Sequence, residues 1–348
     1  MDKKREQQLL NWLRNALNDA EIKRIEAASS DASFRRYYRL RSRGSAFIVM
    51  DAPPAQEDIN PWLEVNRRLR AVSLSAPEVL AHNRQDGFVL MGDLGTVNYL
   101  DALNADSADL LYRDALNALY GMQLRIRPSG LPVYDEGRLQ AELDLFPEWF
   151  LGRHLGIVPS ASERLILKRM FQKLVSSALE QPQVFVHRDY HSRNLMQLAN
   201  GNPGIIDFQD AVKGPVTYDL VSLLRDCYIE WPQAQVMGYV NQYRDRLAKA
   251  GLIEDRELRF KRWFDWMGLQ RHLKVLGIFC RLHYRDGKSQ YLKDLPLTLK
   301  YVLDVAAGNR ELGPFAEWLR DKIGDRDVSQ ASVEASPEHQ HEPLAELG

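Results

Sequence analysis

Cysteine is scarce in this chain: only Cys227 and Cys280 occur, both inside apolar helical patterns, which argues against a disulfide framework or a multi-cysteine metal site. Net charge is nearly absent as well, since 46 basic residues stand against 47 acidic ones for a formal −1. That balance gives no footprint for nucleic acid or an anionic membrane. No apolar run reaches the length of a membrane span, and Met1 to Gln8 is charged, without the apolar core of a signal peptide. A soluble protein of a reducing cytoplasm is the expectation. Lysine is missing over a long stretch, with none between Lys23 and Lys168. What remains is ordinary: 348 residues with 45% apolar content can hold one large domain or two lobes around a sizeable core.

The residue pattern changes twice along the chain. Leu9, Leu10, Trp12, Leu13, Ala16 and Leu17 recur at helix spacing and predict a packing helix over Gln8 to Leu17. Strand signals follow at Ile22 to Ala28, Phe34 to Leu40 and Ala46 to Asp51, an antiparallel meander broken by polar turns. Asp58 to Val72 returns to helix spacing with Pro61 near its first turn, and Pro77 to Leu80 and Phe88 to Met91 are two more short strands. From about Leu100 long helical patterns take over. An α+β fold is therefore expected, with a first lobe over 1–91, a hinge at 92–95 and a helical second lobe over 96–324. Residues 325–348 are rich in Ser, Glu, His and Pro and are expected to form a disordered tail.

The densest chemistry lies at His187-Arg188-Asp189-Tyr190-His191-Ser192-Arg193-Asn194, followed thirteen residues after Asn194 by Asp207-Phe208-Gln209-Asp210. Gln183 to Val186 is an apolar run that ends at His187, and Gly204 to Ile206 is a second that ends at Asp207. Between them Leu198 to Pro203 carries Asn-Gly and Pro, so the two runs are expected to pair like a hairpin and bring both loops together. Phosphoryl transfer asks for one carboxylate beside an acceptor hydroxyl, and for an amide oxygen and a second carboxylate on Mg²⁺ that bridges the phosphates of ATP. Asp189 fills the first role, and Asn194 and Asp207 fill the other two. A polar surface loop followed by an acidic turn is the bland alternative.

These residues resemble the aminoglycoside phosphotransferase-type small-molecule kinases, and within them the bacterial amino-sugar kinases of cell-wall recycling. The likeness spans most of the chain and is most distinctive at Ser29 to Leu40, Val49 to Pro54, Glu142 to Phe150 and Gln270 to Phe279. It implies a bilobal protein-kinase-like fold, a small antiparallel sheet before a mostly helical lobe, with ATP in the cleft and Met91, Asp93 and Leu94 at the hinge. It also implies that Ser30, Asp31 and Ser33 form the turn over the phosphates, although this turn departs from a glycine-rich loop and Asp31 would repel phosphate unless it meets the metal or turns outward. An Asp/Ser-rich hairpin turn without a ligand is the alternative. His187 and Asp219 have structural roles in this resemblance, with Asp219 capping a helix and bracing the catalytic loop; a simple N-cap is the other reading.

Kinases carry a lysine on strand three for the α- and β-phosphates, and here Met50 stands in its place. Arg36 is the first choice of substitute cation among Arg35, Arg36, Arg39 and Arg41, with a solvated strand face as the competing explanation. Glu64, at the position of the lysine's usual partner, has no lysine to meet. A dead nucleotide-binding module would lose the lysine too, so that reading stays open.

For the acceptor, Glu142, Asp144 and Trp149 lie on a helical stretch where carboxylates can bond sugar hydroxyls and an indole can stack on a pyranose, unless they form a solvated face with a core tryptophan. Basic residues dominate from Arg256 to Arg285, which disfavours a polycationic substrate, and Arg271 is the first candidate to grip a carboxylate. The resemblance implies ATP-dependent phosphorylation of the anomeric hydroxyl of N-acetylmuramate or N-acetylglucosamine by a monomer. Kinases of another small alcohol, such as an aminoglycoside or choline, are the alternative.

Overall fold

The computed structural model describes residues 2–30 and 34–331. Asp31 and Ser33 of the expected phosphate turn, and the tail from Ser332 onward, lie outside the described residues; Ser30 is described only as a strand end. The chain divides into two compact units, one comprising Met1–Pro132 with Val184–Lys213 and the other Val133–Gln183 with Gly214–Gly348.

The first unit is built on an antiparallel sheet of β1 (Glu26–Ser30), β2 (Arg36–Ser42), β3 (Ser45–Asp51), β4 (Val79–Asn83) and β5 (Phe88–Gly92), in the order β1-β2-β3-β5-β4. Side chains alternate across it, so the register Arg36↔Asp51, Tyr38↔Val49 and Leu40↔Phe47 puts these pairs on one face. Helix α1 (Lys3–Leu17) covers that face: Leu9, Leu10 and Leu13 cluster with Leu40, Val49, Phe88 and Leu90. Each such fully buried side chain contributes about 2 kcal/mol of apolar burial. The Asp2 side chain caps α1 by accepting the Arg5 backbone N–H. Helices α2 (Asn60–Ala71), α3 (Tyr99–Ala102) and α4 (Ala108–Arg125) complete this part.

The expected hairpin forms with different partners. Strand β6 (Gln183–Val186) pairs with β9 (Val212–Pro215), whereas β7 (Leu195–Met196) pairs with β8 (Gly204–Ile205). The breaker-rich turn at 198–203 folds the strand leaving Asn194, not the strand entering His187, onto the run that ends at Asp207. Residues 96–132 and 184–213 cluster with the sheet rather than with the later helices. Backbone bonds account for this: Ser75 bridges Gly204 and its carbonyl accepts the Ile205 N–H at 2.9 Å, and the Val97 carbonyl accepts the Gln197 N–H at 2.9 Å.

The second unit is helical: α5 (Glu136–Leu145) running into a π-helical stretch over Phe146–His154, then α6 (Ala161–Leu179), α7 (Tyr218–Leu224), α8 (Gln233–Lys249), α9 (Glu257–Tyr284), α10 (Leu295–Ala307) and α11 (Gly313–Ile323). Helix α9 spans 28 residues and is buried on nearly every side from Phe260 to Leu282, which marks it as the core helix. Gly277 lets α5 approach, since an added Cβ would lie 2.5 Å from the Leu145 carbonyl carbon. The expected tail starts too early at 325. Val328 is buried with its carbonyl 2.8 Å from His154 Nε2, and Arg326 donates to the Leu155 carbonyl at 2.9 Å, so an apolar anchor and a charged one dock this segment. No helix among the described residues is long and apolar enough to cross a membrane.

Candidate active site

Asp189, Asn194 and Asp207 converge within the first unit. The Asn194 amide nitrogen donates to the Asp189 carbonyl at 3.0 Å and to Asp207 Oδ2 at 3.2 Å, and the Asn194 carbonyl accepts the Ile206 N–H at 3.2 Å. His187 is fully buried and ties the two loops together: Nδ1 accepts the Asp189 backbone N–H, and Nε2 lies 3.2 Å from the Ile206 carbonyl. An imidazole that accepts at Nδ1 carries its proton on Nε2 and is neutral. Burial pushes its pKa down to about 4, outweighing the opposite pull of the Asp189 carboxylate.

The loops are fixed from outside as well. Tyr190 Oη donates to the Ala115 carbonyl of α4 at 2.8 Å, and Trp62 of α2 packs on Phe208 at 5.1 Å between ring centroids. His187 meets the edges of Tyr190 and Phe208. Arg188 and Asp207 hold left-handed backbone angles, φ +77° and +61°. Such non-glycine conformations store strain and persist only where the surroundings enforce them.

A group of three or more His, Cys, Asp or Glu able to hold a metal is absent among the described residues. The donor set still suits Mg²⁺, which takes one or two carboxylates and completes its shell with water and phosphate oxygens. Asn194 uses its amide nitrogen toward Asp189 and Asp207, which leaves its Oδ1 as the atom that could face a metal. Gln209, which the sequence reading passed over, donates to Asp207 Oδ1 at 3.0 Å and orients that carboxylate. Its place two residues after Asp207 was the available signal.

The structure redistributes the residues expected to meet the nucleotide. Arg36 lies on the α1 face of the sheet, its Nη2 2.6 Å from Oδ2 of the fully buried Asp51, which Arg5 also grips at 2.7 Å. Its charge is therefore committed to Asp51. Arg39, opposite Ile48, which in turn is opposite Met91, is on the Met50 face and holds Asp93 through Nε at 2.6 Å and Nη2 at 3.1 Å. Met50 and Met91 are buried in the sheet, and Leu94 lies against Gly204, where an added Cβ would come 3.1 Å from its Cδ1. Glu64 is paired with Arg67 and Arg68 at 2.8 Å on α2, an exposed helix-surface arrangement.

In the second unit Glu142 is committed to a buried network. Lys274 lies 2.9 Å from it, Tyr134 Oη donates to it, and Gln270 approaches at 3.3 Å. Asp144 is exposed and bonded to Gln140, and Trp149 is half-buried with the Arg153 guanidinium over its ring. Arg271 is buried with Nη1 on Cys227 Sγ at 3.4 Å, so packing rather than solvent surrounds it. Asp219 is fully buried in the first turn of α7 but does not cap it: Thr217 is the N-cap residue, its hydroxyl spent on Gln181 Oε1 at 2.7 Å.

A family model described as the phosphotransferase enzyme family matches residues 24–257. An N-acetylmuramate/N-acetylglucosamine kinase of Pseudomonas putida is 45% identical over 90% of this chain and 96% of its own length. Proteins with the same name from Pseudomonas aeruginosa and Neisseria meningitidis are 44% and 39% identical over 91% and 93% of the chain, and 97% and 98% of their own lengths. Among solved structures, a choline kinase from Streptococcus pneumoniae superposes with a TM-score of 0.61 at 10% identity, covering 86% of this chain and 99% of that one. A GDP complex of aminoglycoside 2′-phosphotransferase-IIIa gives 0.60 at 16% identity, with the same coverages. At such identities the likeness is one of fold, the expected α+β arrangement of a small antiparallel sheet with a largely helical remainder.

Proposed function

The chain belongs to the phosphotransferase enzyme family, and from that premise we propose that it is an ATP-dependent kinase acting on the anomeric hydroxyl of N-acetylmuramate and N-acetylglucosamine. The observation that carries the chemistry is the convergence of Asp189, Asn194 and Asp207 around a neutral, buried His187. Intact convergence also speaks against a dead nucleotide-binding module, despite Met50. The names of relatives at 39–45% identity support the acceptor, and a sugar 1-phosphate made this way would feed nucleotide-sugar synthesis during cell-wall recycling.

In this reading Asp189 orients the sugar hydroxyl and takes its proton as the oxygen attacks the γ-phosphorus and the bond to the ADP oxygen breaks. Asn194 Oδ1 and the Asp207 carboxylate would hold Mg²⁺, which would supply positive charge to the phosphate oxygens. His187 keeps Asp189 at its place in the loop. Ser30, Asp31 and Ser33 remain the candidates to meet the phosphates, and Met91, Asp93 and Leu94 those to meet the base. Arg39, rather than Arg36, is the arginine on the sheet face of Met50, and it exchanges Asp93 for the nucleotide when that binds. Asp144 and Trp149 remain the surface candidates for sugar contact.

An ADP-release assay with Mg-ATP and a panel of N-acetylmuramate, N-acetylglucosamine, choline and an aminoglycoside tests the acceptor, with phosphorus NMR of the product. Sugar-dependent release with phosphate on C1 is expected. Turnover only with choline or the aminoglycoside would move the chain to another branch of the family, and none with any acceptor would favour a dead module.

A further inference from the structure

Asn194 and Asp207 are presented by a very short ladder. Strand β7 pairs with β8 through two residue pairs, Leu195↔Ile205 and Met196↔Gly204, and the Asn194 carbonyl accepts the Ile206 N–H just beyond them. The register of these pairs fixes which residues meet at the open end, and a slip of one residue would turn every side chain to the opposite face. A two-stranded hairpin of this length is marginal by itself. Its edges are extended by Ser75, bridged to Gly204, and by Asn98, bridged to Met196. Backbone bonds repeat along a strand, however, so they hold the ladder together without deciding which residue meets which.

Side chains decide it at the turn. Asn202 Oδ1 accepts the Leu198 N–H at 3.0 Å, closing the turn on itself, while Nδ2 donates to Asp114 Oδ2 of α4 at 3.1 Å. The two partners allow the amide one orientation, since a backbone N–H requires the oxygen and a carboxylate requires the nitrogen. Ser75 Oγ adds a bond to the Gly201 carbonyl at 2.6 Å. The Asp114 side chain is 25% exposed, and its contact with Arg113 Nε, at 3.8 Å, is a loose one to a 66% exposed arginine. The next residue of α4, Ala115, accepts Tyr190 Oη at 2.8 Å from the loop that carries Asp189. Two consecutive residues of one helix therefore hold the turn of the hairpin that bears Asn194 and Asp207, and the loop that bears Asp189.

We infer that Asn202, through Asp114, is a positioning residue for phosphoryl transfer: the pair refers the hairpin of Asn194 and Asp207 to the same stretch of α4 that holds the loop of Asp189. The inference rests on the kinase reading above for the roles of those three residues. Asn202 itself touches neither metal nor substrate in this scheme. It sets the register from the far end of the hairpin.

The test is a charge swap. Asn202→Asp keeps an oxygen for the Leu198 N–H but sets two carboxylates against each other at about pH 8, and Asp114→Asn added to it restores one donor and one acceptor with the direction reversed. Mn²⁺ titration followed by electron paramagnetic resonance, with ADP present, reads metal binding without turnover; ADP release gives kcat and the KM of the acceptor. Asn202→Asp should weaken Mn²⁺ binding about tenfold and lower kcat while the acceptor KM stays within about threefold, and the double variant should return to within about threefold of wild type. Asp114→Ala, on a helix and largely beside its surface, decides the matter if Asn202→Asp does not fold, and should weaken Mn²⁺ in the same direction. Unchanged Mn²⁺ affinity in the folded variants, even with a lowered urea midpoint, reduces the pair to a structural contact and overturns the inference. A loss that the swap does not restore overturns it too. Failure of the kinase reading looks different, because wild-type protein would then bind no Mn²⁺ with ADP and release no ADP with any acceptor, and the inference would fall with it.

Discussion

The backbone N–H of Asp189 donates to Nδ1 of His187 at 3.2 Å, so this histidine serves its neighbouring carboxylate as a brace rather than as a proton carrier. Its other nitrogen, toward the Ile206 carbonyl, extends the brace to the strand that delivers Asp207. The ring has to stay neutral to do both.

Acid should therefore loosen the site. The ordinary imidazole value is 6.5 and burial lowers that of His187 to about 4, so as pH falls the unfolded chain takes up the proton first. The stability from this group is complete above 6.5 and is lost as pH falls through about 4. His272, buried and lowered to about 3, acts in the same direction. Urea midpoints across this window should decline in the wild type and less steeply in His187→Gln. Equal slopes would contradict the assignment.

Gln209 donates to Asp207, the carboxylate proposed to meet the metal. Gln209→Ala should raise the Mg²⁺ concentration needed for half-maximal ADP release by about tenfold, the usual effect of removing an outer partner of a metal ligand. The saturated rate should fall less. An unchanged Mg²⁺ requirement would show that Asp207 is oriented by other bonds.

Lys274 and Glu142 are 10% and 12% exposed at their side chains, so the pair is a buried one. Lys274→Met should cost about 3–5 kcal/mol in urea unfolding, because it strands a buried carboxylate. Adding Glu142→Leu should recover much of that loss. If the single variant costs under about 1 kcal/mol, the carboxylate has found water or another donor.

Gly277→Ala inserts a Cβ 2.5–2.6 Å from Leu145 atoms, most of them backbone. Overpacking of this kind costs about 1–3 kcal/mol, readable as a lowered thermal midpoint. A neutral effect would mean that α5 can slide along α9.

The sheet, the leading helix and the meeting of Asp189, Asn194 and Asp207 were legible because each is written locally: period-two runs, helix-period faces, and a loop whose spacing phosphoryl transfer would demand. Strand partnership was not, since β6 and β8 look equally apolar and only the turn at 198–203 decides which strand closes on β8. The face on which Arg36 lies was hidden for a related reason. Both sit on β2, and the side facing Met50 is known only once the register with β3 is fixed. Glu142 and Arg271 read as surface groups because their buried partners, Lys274 and Cys227, are distant in sequence or carry no charge signal. Val328 docks through one apolar side chain in a polar segment, too little for composition to reveal.

The central claim is that Asp189 acts on the acceptor hydroxyl while Asn194 and Asp207 serve the nucleotide-bound metal. Steady-state ADP release by Asp189→Asn, run with nucleotide binding on the same preparation, tests it most directly. The account predicts a fall in kcat of about 10²–10⁴ with nucleotide affinity nearly unchanged. A kcat within about threefold of wild type would contradict it.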